Sequence, residues 1–150
     1  MTTEITALNW RKQVGRFSVE IEVANYDDIA QAKIGAITPE KVRRTRLAGL
    51  VDIGATRLVL PAAVVAALGL PETGKVEVRL ADGRRAEKVL VSAAQVEIQS
   101  RSGVFSAIVE PGRSDALIGA IVLEELDLLP DCTAQVLRPR DPRWPIAEIE

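Results

Sequence analysis

Between Ala48 and Pro61 the chain reads AGLVDIGATRLVLP. An apolar run, Leu50-Val51, carries a single carboxylate, Asp52, into the tight turn Ile53-Gly54-Ala55, and a second apolar run, Leu58-Val59-Leu60, leads away from it. The two runs read as strands over Leu47 to Asp52 and Arg57 to Leu60, because short apolar stretches bounded by turn residues are how buried strands are written. A strand that ends in a lone carboxylate between hydrophobic walls is costly to build for packing alone, since an unpaired buried charge is expensive. Either the carboxylate does chemistry, or Asp52 is a turn aspartate that accepts nearby backbone N–H groups.

The rest of the chain surrounds this segment with more strands. Residues 17–24 (FSVEIEVA) alternate apolar and polar, the period of a strand with one buried face. Asn25 to Asp28 read as a turn, and 29–46 is ambiguous, with a possible short strand at Ile34 to Ile37 and a break at Pro39. Pro61 opens a short helix through Leu68, and Gly69 stops it. Val76 to Leu80 and Ala86 to Val91 form a hairpin whose turn signal is Asp82-Gly83. A second hairpin joins Val96 to Gln99 with Val104 to Val109 and turns at Arg101 to Gly103. Leu117-Ile118-Gly119 closes a further strand and leads into a helix from Ala120 to Leu126; a late strand at Thr133 to Leu137 follows. The expected fold is all-β with a minor helical part. A weak internal echo pairs Leu50-Val51-Asp52-Ile53-Gly54 with Asp115-Ala116-Leu117-Ile118-Gly119. At 150 residues the chain fits one domain, 1–150, with a loose polar arm at 1–15 and a Pro-rich tail at 139–150.

Composition removes whole classes of function. There is no histidine, so no Ser-His-Asp or Cys-His machinery exists, and zinc sites built on His are excluded. The single cysteine, Cys132, rules out an intrachain disulfide framework and fits a reducing cytoplasm. Asp115, Glu124 and Glu125 do not form a recognisable metal-ligand spacing, and the reading as a whole implies neither a metal nor an organic cofactor. A net charge of −2 supplies no basic field for nucleic acid or an anionic membrane. The longest apolar run, Leu58 to Leu70, is broken by Pro61 and Gly69 and is too short to span a bilayer. The first residues lack the basic and apolar regions of an export signal, so a cytoplasmic location is expected.

In order along the chain stand LVDIGAT, an LVLP strand entering a helix, a hairpin with Ala-Asp-Gly at its tip, and ALIGAIVLEELDL. This order and spacing resembles the retropepsin-like aspartic proteases, the retroviral enzymes and their bacterial relatives, over residues 17–138. The resemblance implies a closed β-barrel lobe that works as a homodimer, each copy giving one aspartate, here Asp52, to a dyad that cleaves peptide substrates with water as nucleophile. It further implies that Gly54 admits the substrate backbone and that Ala55 and Thr56 line the cleft. Asp82 and Gly83 would sit near the tip of a flap, and Leu117, Ile118 and Gly119 would pack behind the Asp52 loop. Residues near Ile146 to Ile149 would pair between subunits. One letter departs: Ile53 stands where the family has Thr or Ser, whose hydroxyl helps brace the loop across the dimer axis. An inactive, protease-like binding scaffold is therefore an alternative. A third reading, from another class, is that residues 56–78 resemble the unit of swapped-hairpin DNA-binding regulators, but the helix AAVVAAL carries no charge to meet phosphate.

Overall fold

The alternation at 17–24 becomes β1 (Arg16–Asn25), which buries Phe17, Ile21 and Val23 and turns Glu20 outward. The computed structural model describes residues 16–149. After β1 come α1 (Tyr26–Lys33), a single 3₁₀ turn (Pro39–Lys41), β2 (Arg44–Asp52), β3 (Leu58–Pro61) and α2 (Ala62–Leu68). Then follow β4 (Glu72–Arg79), β5 (Arg85–Ile98), β6 (Arg101–Glu110), β7 (Ala116–Ile118), α3 (Ala120–Leu126), β8 (Leu128–Asp131) and β9 (Val136–Pro139).

The main sheet runs β1-β2-β7-β3-β6-β5-β4, and β1 also pairs with β5, so six strands close into a barrel with β4 attached outside. This is a closed β barrel with a minor helical part, the all-β class expected from the sequence. Val23, Val51, Leu58, Leu60, Ala94, Val96, Ala107 and Ile118 fill the interior, and none exposes a measurable fraction of its surface. With so few aromatics, the core is built from branched aliphatic side chains that pack well against a pleated surface. β5 changes neighbours along its length: β4 pairs with residues 85–91 and β1 with 94–97, while β6 pairs with 90–91 and again with 94–98. The register shifts between Val91 and Ala94, where Ala93 takes φ 61°. A bulge of this kind bends a strand, and here it carries the β4–β5 hairpin away from the barrel wall.

Four local expectations are corrected. The turn at Asn25 to Asp28 is instead the start of α1: the Asn25 side chain caps the helix by accepting the Asp28 N–H at 3.0 Å. Ile34 to Ile37 is no strand; Ile34 ends α1 and Gly35 turns the chain with φ 78°. The second hairpin turns at Gln99 and Ser100 (φ 52° and 66°) rather than at 101–103, because the buried Arg101 guanidinium donates to the carbonyls of Leu126 and Asp127 and holds Arg101 inside the strand. The late strand is shifted: Thr133 lies in the turn between β8 and β9, which pair as a separate ribbon.

The 56–78 segment is part of the barrel and its hairpin, since β3 pairs with β6 and β7 and β4 with β5. The expected arm at 1–15 lies outside the described residues. Among the described residues no helix is long and apolar enough to cross a membrane.

Candidate functional site

β2 delivers Asp52 to the barrel rim. Val51 is fully buried and pairs with Phe17 of β1 on one side and Ile118 of β7 on the other, so the strand cannot slip without exposing it. Beyond it the chain turns sharply: the Ala55 N–H donates to the Asp52 carbonyl at 3.1 Å, and the Gly54 N–H donates to Asp52 Oδ1 at 3.0 Å. The Asx-type contact aims one carboxylate oxygen into the turn.

The loop is tied from behind by the second half of the sequence echo. The N–H groups of Ala120 and Ile121, in the first turn of α3, donate to the carbonyls of Ala55 (2.9 Å) and Thr56 (3.0 Å). Helix starts leave such donors without intrahelical partners, and here the loop supplies the acceptors. The approach requires Gly119, because a Cβ there would fall 2.5 Å from the Arg57 carbonyl oxygen and 2.6 Å from the Thr56 carbonyl carbon. Leu117 and Ile118 continue the support as β7, parallel to β2. Asp52, Ile53, Gly54, Ala55, Thr56, Leu117, Ile118 and Gly119 are thus one connected unit.

Asp52 is not the unpaired carboxylate that the sequence suggests. Its side chain is 15 % exposed, and Arg16, its direct partner in the β1–β2 register, brings Nη2 to 3.3 Å from Oδ2. Sequence reasoning missed Arg16. Only the strand register places it opposite Asp52.

Ile53 points outward and is 54 % exposed. It forms one wall of a groove of about 390 Å³ with Leu123, Leu128, Leu129, Arg140 and Ile146. A larger groove of about 540 Å³ lies on the outer face of β1 and β2, between Val19 and Leu47, and shares no residue with the Asp52 loop; volume alone does not locate the chemistry. Asp82 and Gly83 sit at the exposed tip of the β4–β5 hairpin, where Asp82 accepts from the Arg84 backbone N–H at 3.0 Å and Gly83 takes φ 86°. Among the described residues no hydrogen bond or ion pair joins this tip to the Asp52 loop.

Residues 140–149 do not form a strand. They fold back on the end of α3, where Asp127 Oδ2 accepts the Ile146 N–H at 2.9 Å and Oδ1 meets Arg140 Nε at 2.9 Å. The Ile146 N–H, and then Arg140, hold the Asp127 carboxyl below the usual carboxylate value. The Arg43 guanidinium does the same for Asp28, and Lys88 for Glu110. These carboxylates are anchors matched to cations. Among the described residues no group of three His, Cys, Asp or Glu is placed to hold a metal ion.

A family model described as aspartyl protease matches residues 29–131, well over half of the chain. No curated protein matches it. Among solved structures, the EIAV protease complexed with the inhibitor HBY-793 is 19% identical, with a TM-score of 0.47 over 54% of this chain and 77% of that one. The simian foamy virus (mac) protease, a solution structure, is 16% identical, with a TM-score of 0.43 over 53% of this chain and 81% of the other.

Proposed function

The chain belongs to the aspartyl protease family, and on that premise we propose that two copies hydrolyse peptide bonds, each supplying Asp52 to a shared dyad. Two carboxylates a few ångströms apart cannot both ionise, so the pair holds one proton and titrates as a unit. The ionised member takes a proton from a water as that water attacks the peptide carbonyl carbon, and the protonated member donates to the carbonyl oxygen. The tetrahedral species then collapses, the C–N bond breaks and the leaving amine is protonated. No acyl-enzyme forms.

The observation that carries this reading is the braced loop: Asp52 stands at a strand end with Oδ1 held by the Gly54 N–H and the loop carbonyls held by α3. Positioning of that kind is what proton transfer in a confined site needs. On this reading Gly54, Ala55 and Thr56 border an extended peptide, and the hairpin tip at Asp82 and Gly83 covers it. The whole chain then acts as one domain, with the 139–150 tail beside the face where two copies meet.

A second reading rests on Ile53. Its exposed, branched side chain has no hydroxyl to brace the partner loop, which favours a protease-like dimeric scaffold that binds peptide without turnover.

The test is cleavage of a peptide library from roughly pH 3.5 to 7, a span wide enough to cover both limbs of a dyad profile. Wild type, Asp52→Asn and Ile53→Thr run in parallel, with oligomeric state measured on the same samples. Cleavage by wild type that is lost in Asp52→Asn supports the enzyme. A silent wild type restored by Ile53→Thr supports the scaffold, and silence in all three dimeric samples overturns the enzymatic reading.

A further inference from the structure

We propose that Arg16 is a releasable latch on Asp52: in the single chain its guanidinium covers the carboxylate oxygen that Gly54 leaves free, and the site works only when Arg16 swings away. The inference rests on the reading of Asp52 as the reactive carboxylate. Both oxygens of Asp52 are engaged, Oδ1 by the Gly54 N–H at 3.0 Å and Oδ2 by Arg16 Nη2 at 3.3 Å. A guanidinium at that distance occupies one approach to Oδ2 and offsets the negative charge that a water or a second carboxyl group would meet there.

The chain contains a pair built to stay closed, and the contrast shows what Arg16 lacks. Arg43 grips Asp28 with Nε at 2.8 Å and Nη2 at 3.0 Å, and the Arg43 backbone N–H adds a third bond at 3.0 Å. That bidentate geometry is the strong form of the interaction. Arg16 meets Asp52 through one contact among the described residues, longer than a charge-assisted hydrogen bond, and its own side chain is 49 % exposed. It sits at the first residue of β1, where a long side chain can leave for solvent without disturbing the buried Phe17 beside it. A half-exposed pair of this kind shifts an equilibrium by roughly two- to fivefold and is screened by salt. Those are the properties of a latch that a binding event can open.

The experiment labels Asp52 with an aryl epoxide, whose ring a free carboxylate oxygen opens to form an ester, and reads the modified peptide by mass spectrometry. Wild type, Arg16→Gln, Arg16→Lys and Asp52→Asn are compared at low and high salt, with folding checked by circular dichroism. The expected result is labelling about two- to fivefold faster in Arg16→Gln than in wild type at low salt. Arg16→Lys should stay near wild type, and the difference should close as salt rises; Asp52→Asn identifies the labelled site. Equal rates in wild type and Arg16→Gln overturn the latch, and so does an absence of label in both. Peptide cleavage on the same samples separates the two proposals. Faster labelling with no cleavage by any variant leaves the latch and removes the dyad; cleavage that depends on Asp52 with labelling blind to Arg16 does the reverse.

Discussion

Replacing Gly119 with Ala tests whether the Asp52 loop depends on its contact with the segment that precedes α3. The backbone at Gly119 is extended, with φ −87° and ψ 179°, so alanine meets no conformational penalty there. The whole effect must come from space. The new Cβ would lie 2.5 Å from the Arg57 carbonyl oxygen, 2.6 Å from the Thr56 carbonyl carbon and 2.7 Å from the Arg57 nitrogen, all backbone atoms that cannot rotate aside. Overpacking of this sort costs roughly 1–3 kcal/mol. Backing the loop off also stretches the bonds from Ala120 to Ala55 and from Ile121 to Thr56, each worth roughly 0.5–1.5 kcal/mol net. The combined loss is about 2–6 kcal/mol, which at roughly 2–4 °C per kcal/mol for a domain of this size lowers Tm by about 4–24 °C. Urea unfolding followed by far-ultraviolet circular dichroism measures it. Gly112→Ala is the control, because its Cβ would meet nothing nearer than a Glu110 side-chain oxygen at 3.9 Å; it should change stability by less than about 0.5 kcal/mol. If the two variants unfold at the same urea concentration, the close approach does not hold the loop and the argument fails.

Acid should weaken the fold in a defined window. The folded-state values of Asp28 and Glu110 are depressed, chiefly by hydrogen bonds from Arg43 and Lys88. Their stabilisation is therefore complete above the unfolded carboxylate values near about 4 and is lost as pH falls through the folded values below that. Urea midpoints should be level at neutral pH and fall below about pH 4. Arg43→Met should flatten that acid limb; an unchanged limb would show that the Asp28 pair does not produce it. At the other end of the chain, Asp127→Asn keeps a residue type that tolerates the φ of 55° found there but removes the charge that holds Arg140. Trypsin should then cut after Arg140 and Arg143 faster than in wild type, and equal rates would mean that Asp127 does not clasp the tail.

What could be read from the sequence was written within a few consecutive residues. The apolar runs around Asp52, Pro61 and Gly69 at the ends of α2, and Asp82-Gly83 at the hairpin tip are local signals, and the structure places each of these features as expected. What could not be read depends on groups far apart in the chain. α1 exists because Asn25 both caps it and donates to the Leu68 carbonyl at 2.9 Å, while Arg43 holds Asp28 from the far side of a loop. The Gln99-Ser100 turn is selected by Arg101 reaching the carbonyls of Leu126, Asp127 and Asp141. The tail is placed by Asp127 rather than by any strand pattern of its own. The same division runs through the candidate site. The motif singles out Asp52 as the candidate group, but its oxygens meet one neighbour in sequence, Gly54, and one across the sheet, Arg16. Register is a property of two strands, so the charge that meets the carboxylate is absent from any reading of the motif alone. On the proposed reading, Ile53 and Arg16 act on different parts of one problem: Ile53 would alter how two loops brace one another, and Arg16 whether the carboxylate between them is free to react. A substitution that restores the hydroxyl at position 53 leaves the latch in place, so Ile53→Thr and Arg16→Gln should have separable effects, the first on the meeting of two copies and the second on access to Asp52.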